Sequence, residues 1–360
     1  MPVLVAEDKA FRGCKSVADL RDQHGLKSID EILFYIKELP AYGLLNLADV
    51  KMPDMSKLPK VYSGIRELDA KTGGFIMGML SVWTGKRGLG KSTLLGQTLL
   101  EAIDQGERVC AYSGELMDWQ FKNWVSLQAA GPKHVRFVSD PVTGQVVSTI
   151  PETVQSLIDE WWNNKFFLDD IGKGSAHDGD RIIELFEYAH RRYGASVFLV
   201  DNIMTARLSV GRERDFYRAQ AEFVGRLVEF AKKTQSHVHV VAHPRKTDKG
   251  QKYLENDDVG GIGDITNRAD YVFSLDQVIN EDAAAFDADG KEVKAFDTQL
   301  SILKNRPYGF KQTIKLEFNK ASNRFYRPGK KPEDRHFGWD QSGQQLRMED
   351  DTPPGYDPFK

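Results

Sequence analysis

Residues 85–93 read GKRGLGKST, which places three glycines, two hydroxyls and a motif lysine within nine positions. The apolar run MLSVW precedes them, and in STLLGQTLLEAIDQG the pairs Leu94/Leu95, Thr98/Leu99 and Ala102/Ile103 recur at helical spacing up to Gly106. The order is strand, glycine turn, helix, and the text fits G-x-x-x-x-G-K-[ST]. Glycines at 85, 88 and 90 let the backbone wrap closely around phosphates. The amides from Gly85 through Arg87, Gly88, Leu89 and Gly90 to Thr93, with the helix N-terminus behind them, then face negative charge. Lys91 reaches the β- and γ-phosphates of a nucleotide such as ATP or dTTP, and Ser92 offers its hydroxyl to Mg²⁺.

Hydrolysis of a phosphoanhydride needs two further carboxylates at the C-terminal ends of neighbouring strands. Asp201 ends the apolar run VFLV and suits the metal shell; the alternative is an ordinary strand-ending aspartate. Glu115 ends RVCAYSGE and is the candidate base for the attacking water, against an ordinary exposed glutamate. His243 ends HVHVVAH at the same edge, where an imidazole can sense a γ-phosphate by hydrogen bonding. The stretch PRKTDKGQK follows directly and carries Arg245, Lys246, Lys249 and Lys252 against Asp248 alone. A positive loop of this kind fits the backbone of a single nucleic-acid strand. A second basic stretch, TARLSVGRERDFYR, holds Arg207, Arg212, Arg214 and Arg218, diluted by Glu213 and Asp215. The first is the stronger candidate; for both stretches a solvated surface loop is the alternative.

The elements that must position these groups follow from the hydrophobic pattern. After the glycine turn and its helix come strand RVCAYSGE, a helix near DWQFKNWVSLQAAG, strand KFFLDD, helix RIIELFEYAHRRYG, strand SVFLVDN, a long helix FYRAQAEFVGRLVEFAKK and strand HVHVVAH. Short apolar runs alternating with helices indicate an α/β fold with a parallel sheet buried on both faces. ADYVFSLDQ, TQLSILKNR and TIKLEFNK read as three antiparallel additions at the sheet edge. Residues 1–60 contain a helical stretch, SIDEILFYIKEL, and a polar connector, KMPDMSKLPK. The tail from Arg327 has too few apolar residues to pack, so disorder is expected over 328–360, ending in the acidic MEDDTPPGYDPFK.

Bulk properties set outer limits. A chain of 360 residues with 41% apolar residues and net charge −3 is an average globular protein, so any nucleic-acid binding must come from a local patch. No apolar run approaches the ~20 residues that cross a bilayer, and the N-terminus lacks the pattern of a secretion signal. The expectation is a cytoplasmic protein of a phage or bacterial host cell without a membrane partner, with a mitochondrial location left open. Cys14 and Cys110 have no metal-ligand spacing, and neither receives a role.

Taken in order, TGKRGLGKST, SGE, VFLVDNIMT, VVAHPRK, GIGDITNRADYVFS, LKNRPYG and LEFNKASNRFY resemble the helicase half of phage primase-helicases and Twinkle, within the DnaB-like ring helicases. The likeness spans roughly residues 60–327, and its most specific parts are HPRK and KNR. It implies a RecA-like P-loop core in a homo-oligomeric, hexameric ring with nucleotide between subunits. It also implies translocation from five-prime to three-prime on single-stranded DNA and unwinding of forked DNA by strand exclusion. In the family's K-N-R motif the arginine crosses to the neighbour's γ-phosphate, which assigns Arg306 as a finger and puts Lys304 beside it; without the family, KNR reads equally as a solvated strand end. Arginine suits such a role through its planar, permanently charged fork.

CKSVADLRDQHGLKSIDEIL resembles the end of the primase half in these proteins, and ELPAYGLLNLADV the joining segment. The primase active site and its zinc-binding region are not in this text, which leaves a helicase-only product, a trimmed chain or a lineage without primase. The resemblance lets the apolar face Ile29, Ile32, Leu33, Ile36 dock on a neighbouring subunit; packing on its own core is the alternative. Replisome partners (polymerase, primase, single-strand-binding protein) are implied for the acidic tail with its late Phe359, against an untethered tail. Two other classes share the fold: a RecA- or RadA-like recombinase filament and a KaiC-like ATPase regulator.

Overall fold

The computed structural model describes residues 4–6, 8–38, 45–170, 178–206, 213–243, 263–278, 284–286, 292–294, 296–330 and 335–340. The chain divides into two compact units, Met1–Leu58 and Pro59–Lys360.

In the first unit, helix Val17–His24 starts at Ser16, whose Oγ accepts the Asp19 amide at 3.1 Å, the usual way to satisfy an orphan donor of the first turn. A second helix, Lys27–Ile32, follows after Gly25. The single helix expected over SIDEILFYIKEL is corrected. It stops at Ile32, a 3₁₀ turn covers Leu33–Tyr35, and Ile36–Glu38 pairs antiparallel with Leu4–Ala6. Phe34, Tyr35 and Ile36 are aromatic or β-branched residues that favour extended backbone, and the strand partner decides the outcome. The expected apolar face is thereby broken, with Leu33 68% exposed.

The second unit is built on one nine-stranded sheet. Its strands in chain order are β1 (Leu80–Thr84), β2 (Val109–Ser113), β3 (Phe166–Leu168), β4 (Val197–Asp201), β5 (His237–Val241), β6 (Tyr271–Gln277), β7 (Thr298–Asn305), β8 (Gln312–Asn319) and β9 (Arg324–Tyr326). Spatially they run β9-β8-β7-β6-β1-β5-β4-β2-β3. From β6 to β3 every pairing is parallel, and β7, β8 and β9 are antiparallel. β6 is a correction: ADYVFSLDQ was expected antiparallel, yet it lies parallel to β1 with Ser274 opposite Thr84. Its first six residues are fully buried, as an interior strand covered on both faces requires.

The helices are α1 (Lys91–Asp104), α2 (Asp118–Ala130), α3 (Glu152–Trp161), α4 (Gly179–Tyr193), α5 (Glu213–Thr234) and α6 (Gly263–Arg268). Leu80, Val82, Phe198, Val200, Val238 and Val240 pack with Ile182 and Phe186 of α4 and Val224 and Leu227 of α5. The alternate residues Trp83, Ala111, Leu199, Val241 and Phe273 pack with Leu94, Leu95 and Leu99 of α1. Period-two alternation thus feeds two cores, each fully buried large side chain contributing about 1.5–3 kcal/mol. Because Asp201 lies opposite Ser113 and Val241 opposite Trp83, the parallel strands end level and offer one common edge.

Part of the expected tail is also corrected. Phe337 and Trp339 are buried with Leu100, Ala129, Ala130 and Ile158, and Arg335 is ion-paired to Glu101 and Asp104. Two aromatic rings and one arginine suffice to anchor a segment of six residues, a density that an average over the whole tail conceals. The acidic end with Phe359 lies outside the described residues.

Candidate nucleotide site

β1 and β6 close against each other at the root of the glycine loop. A Cβ at Gly85 would lie 2.2 Å from the Leu275 carbonyl oxygen, so the loop can leave the sheet here only as glycine. The turn then runs through Gly88 and Gly90 at positive φ into α1. Lys91 is buried, and its Nζ donates to the carbonyls of Gly85 at 2.8 Å and Lys86 at 2.9 Å. Burial lowers its pKa, opposed by the charges of Asp201 and Glu115.

A cavity of about 930 Å³ opens above this loop. Residues Arg87–Thr93 line it, together with Glu115, Asp201 and His243 from strands on one side of β1 and Phe318, Lys320 and Phe325 from the β8–β9 hairpin on the other. Asp201, at the end of β4, is 2% exposed. Burial pushes its carboxyl up to about 6, against the hydrogen bond from Ser92 and the attraction of Lys91. Its Oδ1 has no hydrogen-bond partner among the described residues. A buried acceptor without a donor beside a hydroxyl is a donor set suited to a hard divalent cation whose other ligands are phosphate oxygens and water. Among the described residues no cluster of three carboxylate, imidazole or thiol ligands forms a protein-only metal cage.

Asn202, invisible as a site residue in the sequence, ties this edge of the sheet together. Its side-chain amide donates to Glu115 Oε1 and to His243 Nε2, the latter at 3.0 Å, and its Oδ1 accepts the Met204 amide at 2.8 Å. An amide donating to Nε2 requires that nitrogen to be unprotonated. The ring is then neutral with its proton on Nδ1, which is buried without a partner among the described residues. Burial and then the charge of Lys91 lower the His243 pKa, in keeping with the neutral form. Glu115 Oε1 lies 3.4 Å from Nε2, and its side chain is half exposed to the cavity. The one available signal for Asn202 was a second polar residue directly after Asp201 at the end of a buried strand.

Two more residues were missed. Phe325 lies against the loop, so that a Cβ at Gly90 would stand 2.7 Å from its ring, and Phe318 packs on it at a centroid distance of 5.0 Å. Together they give the cavity an aromatic wall suited to a nucleobase.

Lys91, Ser92, Glu115, Asp201 and His243 thus converge, whereas Lys304 and Arg306 do not join them. Lys304 Nζ donates to the carbonyls of Thr266 at 2.7 Å and Asn267 at 3.1 Å, and Arg306 binds Asp270 at 2.7 Å and the Asn267 carbonyl at 2.9 Å. Asp270 precedes β6 and bonds to Leu80 at the start of β1, so this pair sits about one strand length, ~15 Å, from the loop of its own chain. The candidate DNA contacts Arg207, Arg212, Arg245, Lys246, Lys249 and Lys252 lie outside the described residues. Arg218, on α5, is exposed and paired with Glu222.

Comparison with known proteins agrees with this geometry. A curated relative, the DNA repair protein RadA of Brucella abortus (strain 2308), is 31% identical over 98 residues, 27% of this chain and 21% of its own length, so the match spans about a fifth of that protein. Among solved structures, the ATPase domain of G40P superposes with a TM-score of 0.60 at 15% identity, covering 76% of this chain and 92% of that one. A DnaB-like replicative helicase, described with its interactions with primase, gives a TM-score of 0.61 at 15% identity over 89% of this chain and 75% of that one. At such identities the superpositions establish the fold, a RecA-like α/β core. Residues 60–327 match the DnaB-like helicase C-terminal domain, and on that match the chain belongs to this family.

Proposed function

We propose that the chain is the motor of a hexameric replicative helicase ring that hydrolyses ATP or dTTP between neighbouring copies. It tracks five-prime to three-prime on single-stranded DNA and opens a fork by excluding the other strand. The observation that carries this reading is the separation of Lys304 and Arg306 from the loop of their own chain, at half exposure for Arg306. A finger so placed serves a cradle only in a second copy.

In this reading Lys91 and the loop amides hold the β- and γ-phosphates, and Phe318 and Phe325 face the base. Glu115, oriented by Asn202, takes the proton of the attacking water, and His243 Nδ1 donates to the γ-phosphate. Ser92 and Asp201 would hold Mg²⁺, which when bound would supply positive charge against the negative charge on the transferred phosphoryl group. Arg306 of a neighbour completes the stabilisation, with Lys304 beside it. Residues 1–60 form the linker region with the end of a primase-like segment, and 61–327 the motor. Arg245, Lys246, Lys249, Lys252, Arg207 and Arg212 grip the DNA backbone. Primase, polymerase and single-strand-binding protein are the partners expected of such a motor.

The test is unwinding of a forked duplex with ATP or dTTP, using substrates that carry one tail at a time. Unwinding is expected with the five-prime tail alone; activity with the three-prime tail alone overturns the polarity, and none with either overturns the helicase. A recombinase filament is the second reading, supported by the RadA likeness. Electron microscopy with nucleotide and single strands separates them, since closed rings favour the first and open helices the second.

A further inference from the structure

The aromatic wall of the cavity is anchored from behind by hydrogen bonds to α1 and α2. Phe325 is held by Gln97 of α1, which accepts its amide and donates to its carbonyl, both at 2.9 Å. Gln128 of α2 donates to the Asn323 carbonyl at 2.7 Å and to that of Thr93 at 2.6 Å, joining the hairpin to the first turn of α1. Between them Arg324, 3% exposed, donates to the Gln128 carbonyl at 2.6 Å, to that of Ala129 at 3.1 Å and to that of Arg335 at 2.7 Å. Burial pushes its pKa down to about 9, which still leaves it charged near neutral pH. The last carbonyls of α2 offer the partial negative charge that such a buried cation needs.

Residues 335–340 close this arrangement from outside. The Phe337 ring lies between two guanidinium groups, with Arg335 at 4.4 Å and Arg324 at 5.1 Å from its centroid. Arg335 binds Glu101 and Asp104 near the end of α1, Gly338 donates to Asp104 at 2.6 Å, and Trp339 Nε1 donates to the Ala129 carbonyl at 3.0 Å. Asp340 accepts from His336 at 2.7 Å and lies 3.0 Å from His134 Nε2. The segment therefore fastens the ends of α1 and α2 to each other and to the arginine beside Phe325.

We infer that residues 335–340 are a latch that sets nucleotide affinity by holding Arg324, and through it Phe325, against the glycine loop. The inference rests on the nucleotide reading of the cavity given above. Phe337, Arg335 and Arg324 are positioning residues in it, since none of them lines the cavity.

Steady-state turnover of the whole chain provides one arm of the test. Phe337→Ala is expected to raise KM for the nucleotide about tenfold with kcat changed less than twofold, and Phe337→Tyr, which keeps a ring between the two cations, to restore most of it. An unchanged KM, or equal loss in kcat for both variants, overturns the latch. The second arm needs no variant. By linkage, a latch that tightens nucleotide binding is itself tightened by nucleotide to the same factor. Hydrogen exchange at the amides of Gly338 and Asp340 in the unmodified chain is therefore expected to slow about tenfold when nucleotide saturates the site, and unchanged exchange overturns the inference while leaving the nucleotide reading intact. If the unmodified chain binds no nucleotide, that earlier reading fails and the latch fails with it.

Discussion

At the C-terminal ends of β1, β4 and β5 the sheet carries a buried lysine and, among the described residues, a buried aspartate with an oxygen lacking a donor and a histidine nitrogen lacking a partner. At the opposite end Lys304 donates to two backbone carbonyls and Arg306 to Asp270 and a carbonyl, although Arg306 stays half exposed. The first end carries a desolvation cost that a ligand could offset; the second has its charges paired and still offers a guanidinium outward. On the function proposed above, the contrast separates groups that await a nucleotide in their own chain from groups that serve a nucleotide in a second copy.

The largest effect is expected at the first end. Lys91→Ala should lower nucleotide turnover by at least ~10³-fold, since the γ-phosphate then faces no buried cation. Arg306→Ala is expected to cost ~10²- to 10³-fold in DNA-stimulated turnover while nucleotide still binds. Mixing the two inactive variants sharpens the comparison. A Lys91→Ala copy retains its finger and an Arg306→Ala copy its cradle, so mixed assemblies are expected to recover measurable turnover. No recovery on mixing, with assembly shown by sedimentation, would place the finger and the cradle in one chain.

Asp201 gives the next contrast, because at this site stability and activity pull apart. Burial raises its carboxyl from the ordinary 3.8 to about 6, so in the metal-free chain the group stabilises the fold below pH ~4 and that stability is lost as pH rises through ~6. Asp201→Asn removes this titration. The variant should be inactive with Mg²⁺ yet more stable than the unmodified metal-free chain at pH 7, by about 2 kcal/mol, with the difference closing as pH falls toward 4. Denaturant melts at several pH values check the sign; a variant less stable at pH 7 would show that Asp201 does structural work.

The parts of this design that could be read from the chain are those written in uninterrupted runs. GKRGLGKST, VFLVD and HVHVVAH announce a loop and two strand ends, because glycine spacing and unbroken apolar stretches act locally. The order of β6 beside β1 was beyond reach, since parallel and antiparallel strands of one hydrophobicity read alike, and only the partner across 190 residues decides. The convergence of Asn202 with Glu115 and His243 depends on strands 87 and 41 residues apart. The short run Arg335–Asp340 is diluted by the polar residues around it, so its packing shows only when α1 and α2 are in place. The helix predicted through Ile36 failed for the converse reason: a local pattern was overruled by a three-residue strand from the far end of the same unit.

The smallest effect is expected at Asp270, and it tests whether the opposite end of the sheet is a holder or a working part. Its Oδ2 accepts the Leu80 amide at 3.1 Å and its Oδ1 accepts Arg306 at 2.7 Å, so Asp270→Asn keeps one acceptor and turns an amide N–H toward the other donor. Losing one charged hydrogen bond in a buried position should cost about 1–2 kcal/mol of stability. Arg306 keeps the Asn267 carbonyl and stays at the surface, so turnover per assembled ring is expected to fall less than about threefold. Parallel denaturant melts and turnover assays measure both quantities on one preparation. A loss of turnover as deep as that of Arg306→Ala, at full assembly, would mean that the aspartate steers the finger during the reaction; a loss confined to stability keeps Asp270 as the rest position from which Arg306 reaches its neighbour.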